Sequence, residues 1–184
     1  MIGQRSMRHK AVGSCACWVV AAVLFPAVEF GAADRDWPVC LGDKASSHFS
    51  TLSQVNTRNV HHLEIAWTYF AGDARPDNRS QIQCNPLVIE GVLYGTTPQL
   101  KLFALDAATG RQLWRFDPFA GSAEKSALGV NRGVVYWAAG AEQRILFTAG
   151  HHLYAILART GSPIATFGEN GRADSSSLRP PKTR

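Results

Sequence analysis

The 184-residue sequence predicts an all-β chain, a partial β-propeller holding the first two to three blades of a larger ring. Three observations predict it. From residue 63 onward, short apolar or alternating runs are divided by Gly-containing turns, the pattern of short strands. No stretch beyond residue 33 sustains helical periodicity for three turns. The chain also repeats itself. Residues 102–116 (LFALDAATGRQLWRF) lie over 153–167 (LYAILARTGSPIATF) at an offset of 51, with six of fifteen positions identical. A period near 50, with about four strands per unit, marks propeller blades.

The elements follow in order. Arg5, Arg8 and Lys10 precede an uncharged stretch from Ala11 to Val28, and Gly31-Ala32-Ala33 offers small residues for a cut after Ala33. This order of charge, apolar core and small-residue site reads as a signal peptide over 1–33, with an uncleaved anchor as the less favoured reading. The formal net charge of +5 does not mark a nucleic-acid surface. Residues 1–33 supply +2 and residues 172–184 supply +3, so the body between is neutral. Export makes the compartment oxidising. Cys15 and Cys17 leave with the signal, and Cys40 and Cys84 allow one disulfide without showing that they meet.

Segment 55–62 predicts one local turn. Strands are expected over 63–69, 86–89, 92–96, 100–105, 112–116, 133–137, 145–148 and 153–157, with Glu90-Gly91 as a tight hairpin. In the first repeat Asp106 can accept backbone N–H bonds, Gly110 supplies a permissive backbone, and Trp114 offers a flat face to the adjacent blade. An earlier Trp67-Thr68-Tyr69 mirrors Trp114-Arg115-Phe116. The second repeat is worn: Leu157 replaces the Asp and Ala165 replaces the Trp, so that junction is expected to dock less tightly. Residues 34–174 form the propeller segment, and 175–184 a disordered, low-complexity basic tail.

Several tempting residues receive plain readings. His61-His62 and His151-His152 are adjacent pairs, and neighbours on a strand point to opposite faces, so neither is expected to chelate a metal. Asp73 and Asp77 flank a polar loop expected to be solvated. Trp37 and Trp137 are expected to pack blades rather than to stack on a cofactor.

The motifs Asp36-Trp37-Pro38, Gly42-Asp43-Lys44, Asn59-Val60 and Ala66-Trp67-Thr68-Tyr69 follow one another in this order. Pro86 to Tyr94 (PLVIEGVLY), the repeat at 104–114, Asn131 to Trp137 (NRGVVYW) and Phe167 to Arg172 (FGENGR) continue them. Together they resemble the pyrroloquinoline-quinone (PQQ)-dependent dehydrogenases, the glucose dehydrogenase branch more than the alcohol and methanol branches. The resemblance implies an eight-bladed propeller with PQQ on its axis, a Ca²⁺ ion whose ligands lie in later blades, and a carboxylate base, also in a later blade. It implies a sugar or polyol substrate and electron delivery to a quinone or a cytochrome. Two cofactor contacts carry over: Arg132 of Asn-Arg-Gly, whose guanidinium can fork onto a carboxylate, and Gln83, where many relatives place a Glu before x-x-Pro. The alcohol-oxidising relatives carry adjacent cysteines shortly before Asn-Arg-Gly. Here those positions are Ser126 and Ala127, which speaks against that branch.

The resemblance thus predicts the amino-terminal part of a periplasmic PQQ-dependent glucose or polyol dehydrogenase, associated with the outer face of the inner membrane. After the signal, roughly 150 residues remain, enough for at most three blades, so the chain alone is expected to be inactive. An early stop, a frameshift or an incomplete gene would account for such a length. Two other readings stand beside it: a non-catalytic propeller scaffold of the outer-membrane assembly type, and a decayed remnant.

Overall fold

The structure, a computed structural model, describes residues 36–77, 79–121 and 130–175. The expected signal over 1–33, residues 176–184 of the basic tail, and Ser126 and Ala127 lie outside the described residues. Among those described, no helix is long and apolar enough to cross a membrane.

Two four-stranded antiparallel sheets make the architecture. The first holds β1 (Leu87–Ile89), β2 (Val92–Thr96), β3 (Leu102–Asp106) and β4 (Gln112–Phe116), in that spatial order. The second holds β5 (Val135–Ala139), β6 (Glu142–Ala149), β7 (His152–Leu157) and β8 (Arg172–Asp174), also in sequence order. Each sheet is an up-and-down meander, which bears out the all-β reading and its blade repeat. Turn chemistry explains the connections. Glu90 and Gly91 both adopt positive φ, +49° and +76°, as a two-residue hairpin of the primed type requires, so Ile89 faces Val92.

Alternation along the strands divides each sheet into two faces. Leu87, Tyr94, Ala104 and Trp114 lie side by side across the first sheet and face the second. Tyr136, Ile145, Phe147, Tyr154 and Ile156 of the second sheet meet them in one shared apolar core. Phe116 contributes edge-on ring contacts to Phe147 and Tyr154, at 6.2 and 5.7 Å between centroids. The far face of the second sheet has no such cover among the described residues. Val135 is 59% exposed and Trp137 41%, with Arg144 stacked 4.8 Å from the Trp137 ring centre. A blade with one apolar face bare is what a wedge of a larger ring presents.

The junction between units is built twice with the same parts. The Trp67 indole covers Gly110, and its Nε1–H donates to the Ala107 carbonyl at 3.1 Å. The Trp114 indole covers Gly161 in the same way and donates to Ala158 O at 2.9 Å. Both glycines have φ of +72° to +73°, and a Cβ at either would fall within 2.6 Å of the ring. The Asp106 carboxylate caps its turn, accepting from the Ala108 and Thr109 amides and the Thr109 hydroxyl. In the second copy Leu157 lacks this cap but keeps the backbone bond from Gly161 N to Leu157 O at 2.9 Å. The sequence change therefore removes the side-chain cap, but the backbone bond remains and the tryptophan docks onto the turn as in the first copy, not less tightly as expected. Beyond it, Ala165 supplies no third indole.

Two expectations need correction, and one strand had not been expected. Segment 63–69 is not a strand. Trp67 and Tyr69 lie on the outer face of the first sheet through side-chain contacts, the Tyr69 ring 4.9 Å from Phe103, and no described strand offers residues 63–69 a ladder. The fourth strand of the second sheet forms late. Pro163 makes a single bridge to Ile156, the chain turns through 165–170, and β8 then completes the edge against β7. Pro163 has no N–H for a continuing ladder, and Gly168 and Gly171 take positive φ. His61 and His62 sit on a 3₁₀ turn, Val60–His62, rather than on a strand, with ring centres 4.0 Å apart. The local turn expected there is present, but the opposite-face argument does not hold for this pair.

Replacing Trp114 with alanine removes both the indole lid and its bond to Ala158. A loss of about 3 kcal/mol is expected, read as a lower urea midpoint. Acid should act through the Asp106 turn. The Thr109 hydroxyl and amide hold the Asp106 carboxyl below its ordinary value. Its contribution is therefore complete above the ordinary carboxylate range and is lost as pH falls through the depressed value. Urea midpoints measured from pH 6 down to pH 3 should fall more steeply for the wild type than for Asp106→Asn.

Candidate cofactor-contact site at the inner strand ends

The meander places one end of each sheet in common. β1 and β5 begin there, as do the β2–β3 and β6–β7 loops. Gln83 and Arg132, the two residues expected to contact a cofactor, precede β1 and β5 at this end. The structure joins their segments directly. Asn85 N–H donates to the Arg132 carbonyl at 3.0 Å and Asn85 Nδ2 donates to the same oxygen at 2.8 Å. Asn85 and Gly133 form a parallel bridge between the sheets. Behind them, Asn131 is only 6% exposed. Its amide donates to Thr148 O at 3.0 Å and accepts from Gly133 N at 2.8 Å.

Arg132 itself is exposed, and among the described residues its guanidinium forms no ion pair. Gln83 is half-buried. Two side chains, a cation with no ion pair among the described residues and a neutral amide, thus stand on strand leads that Asn85 joins. Such a pair can receive a carboxylate and hydrogen-bond a polar rim. Clefts among the described residues, such as one along Glu142, Gln143 and Arg159 at the opposite end, are not lined by Gln83 or Arg132. Gln83 and Arg132 therefore make one open edge rather than an enclosed pocket.

A second polar group at this end was read in the sequence as solvated and is not. The Asp73 side chain is 8% exposed. One of its oxygens, Oδ2, accepts from Arg115 Nη2 at 2.7 Å and from the Thr97 hydroxyl at 2.7 Å. Gln99 Nε2 donates to the Asp73 carbonyl, and Arg115 Nη1 donates to Ala71 O. These bonds tie the segment that carries Trp67 and Tyr69 to β4 and the β2–β3 loop. The pairing spans 42 residues, and no local pattern announces it. Asp77, by contrast, is exposed beside Arg75, as expected.

The remaining candidates are soon placed. Cys40 and Cys84 are free thiols, so the allowed disulfide is not formed here. Among the described residues no group of three or more His, Cys, Asp or Glu is placed to hold a metal ion. Trp37 bridges Val88 through its backbone, while its ring lies on Gly42 of its own loop rather than between the two sheets.

Comparison with known proteins decides the family. A profile described as the glucose/ethanol/alcohol dehydrogenase β-propeller domain, of the PQQ type, matches residues 37–182. The chain belongs to this PQQ dehydrogenase family. It is similar to the quinoprotein glucose dehydrogenase of Escherichia coli K12, at 34% identity over 76% of this chain and 19% of that protein. It is also similar to the solved quinohemoprotein alcohol dehydrogenase ADHIIG of Pseudomonas putida HK5, with a TM-score of 0.61 and 29% identity. That likeness covers 78% of this chain and 20% of the other. A europium-containing methanol dehydrogenase aligns with a TM-score of 0.51 and 26% identity, over 70% of this chain and 23% of its own. The chain spans about a fifth of the length of the glucose dehydrogenases it matches. Family members are PQQ-dependent, so PQQ together with a metal ion is the implied cofactor set.

The residues present fit part of that group. PQQ is a flat polyanion, and the free guanidinium of Arg132 suits one of its carboxylates. Gln83 can serve a rim oxygen or nitrogen but adds no charge, so neutralising the rest of the group falls to other residues.

Removing the Asp73 carboxylate would leave Arg115 half-buried without its counter-charge. Asp73→Ala should lower stability by about 3 kcal/mol. Limited proteolysis should then cut first in the released 63–77 segment, and urea unfolding measures the size of the loss.

Proposed function

We propose that the chain supplies the first blades, and two of the cofactor contacts, of a PQQ-dependent dehydrogenase that oxidises a sugar or polyol hydroxyl in the periplasm. The observation that carries this reading is the junction of Gln83 and Arg132 through Asn85 at one end of both sheets. Two positions named by separate motifs, 49 residues apart, arrive on adjoining segments. A non-catalytic propeller scaffold would give no reason for an exposed arginine, with no ion pair among the described residues, on an asparagine bracket at that point.

The roles follow from the side chains. Arg132 would bind a cofactor carboxylate by a charge-assisted fork, and Gln83 would orient the rim by an amide bond. When bound, PQQ supplies a two-electron acceptor for hydride leaving the substrate carbon. Among the described residues near this end, Asp73 is committed to Arg115 and Thr97, and Asp117 to Lys101, so neither supports a reading as the proton acceptor. The base, the metal ligands and the remaining cofactor contacts belong to later blades in this reading, and the 184 residues by themselves carry no turnover. The glucose branch is favoured by Ser126 and Ala127 where the alcohol-oxidising branch has adjacent cysteines. The expected export signal over 1–33 supports a periplasmic site, and the family resemblance supports a place beside the inner membrane with a quinone as electron acceptor.

Titration of the full chain with PQQ, followed by absorbance and tryptophan quenching, tests the reading. Saturable binding that Arg132→Ala weakens about tenfold is expected, the weight of one charged hydrogen-bonded contact. Equal affinity in the variant would remove Arg132 from the site. Dye reduction by the PQQ-loaded chain with glucose would overturn the claim that later blades are required.

A further inference from the structure

We propose that Asn85 is a positioning residue that sets the cofactor contact at Arg132, acting across the blade junction without touching the cofactor itself. The inference rests on the reading of Arg132 given above, and it adds a role for a residue two positions from Gln83.

At Asn85, two donors of one residue converge on one acceptor in the lead of the other sheet. Its backbone N–H and its Nδ2 both reach the Arg132 carbonyl, at 3.0 and 2.8 Å. A carbonyl oxygen has two lone pairs, so both bonds can be satisfied at once. The peptide plane after Arg132 is thereby held by β1's lead-in segment, while Asn131 holds the residue before it through Thr148 and closes a turn onto Gly133. Arg132 is clamped on its carbonyl side from one blade and on its amide side from its own. A guanidinium on a long flexible stem gains from such a frame. Fixing the main chain removes part of the freedom otherwise lost on binding. The bracket thus gives main-chain hydrogen bonds to an exposed arginine that has no ion pair among the described residues. Pro86 directly after Asn85 favours an extended conformation at Asn85 and so helps to aim the amide across the junction.

The geometry separates two kinds of contribution. A residue that only stabilised the fold would weaken PQQ binding to the same degree whether or not Arg132 were present. A residue that acts through Arg132 would lose its effect once the guanidinium is gone.

A double-mutant cycle on the full chain reads this difference, using PQQ as the probe. Asn85→Ala should weaken binding about fivefold, the net value of one hydrogen bond. In the Arg132→Ala background it should change nothing further. Equal weakening in both backgrounds would overturn the proposal. Trypsin gives a readout free of cofactor, because the protease must attack the very carbonyl that Asn85 holds. In Asn85→Ala, cleavage of the Arg132–Gly133 bond should accelerate about fivefold relative to cleavage after the exposed Arg58, with peptides identified by mass. An unchanged ratio would also overturn the proposal. Asn85→Asp keeps the shape and the backbone bond but loses the amide donor, and should shift both readouts in the same direction if the alanine variant folds poorly. Should Arg132→Ala leave PQQ affinity intact, the cofactor reading fails, and the trypsin ratio alone then decides whether the bracket holds Arg132.

Discussion

An indole laid over a glycine, with its N–H on an alanine carbonyl, is the contact on which this structure depends. Each sheet is a short-stranded meander with two apolar faces, and a meander of that size cannot bury both by itself. The docked tryptophan fixes the distance and angle at which the next sheet arrives. Trp67 sets the leading segment against the first sheet, and Trp114 sets the first sheet against the second. Tyr94 strengthens the second junction: its hydroxyl reaches the same Ala158 carbonyl, and burial pushes its phenol up to about 12, so it stays a neutral donor. Only with the sheets held in this way do the leads into β1 and β5 come close enough for Asn85 to bond to Arg132.

The two ends of the sheets are consequently given different work. At the end where β1 joins β2 and β3 joins β4, tight turns and docked rings hold the units together. At the other, where β1 and β5 begin, longer connections carry the polar groups. These include the asparagine bracket around Arg132, the Asp73–Arg115–Thr97 cluster and the Lys101–Asp117 pair. Docking at one end thus brings together, at the other, the asparagine side chains and backbone that bracket the exposed Arg132.

Much of this was legible in the residues, for identifiable reasons. Strands β2 and β4 have the expected boundaries because turn residues bound them, Gly91 and Thr97-Pro98 around β2 and Gly110 and Asp117-Pro118 around β4. The junction was legible because it is repeated, and a repeat shows Gly110 and Gly161 to be the same part. The Asp73 cluster was not legible. An aspartate in Gly-Asp-Ala-Arg-Pro looks like any loop carboxylate until Arg115 arrives from 42 residues away. β8 was missed because Pro163 and Ala165 break the pattern that 112–116 follows, and the chain finds its ladder only after a detour. Segment 63–69 misled in the opposite direction: it has a strand's alternation but no neighbouring ladder among the described residues. At the site, motif resemblance named Gln83 and Arg132. Asn85 lay between them and Pro86 in plain view, but only the registry of two sheets gives its amide a target.

The paired turns at Asp106 and Leu157 amount to an internal experiment in drift. One copy has lost its carboxylate cap, yet both retain the glycine under the ring and the amide-to-carbonyl bond that closes the loop. Side-chain caps in such a repeat are therefore replaceable ornament on a backbone motif. A unit can shed its aspartate and still be recognised by its neighbour, whereas exchanging the glycine would evict the aromatic ring and break the succession of units at that point.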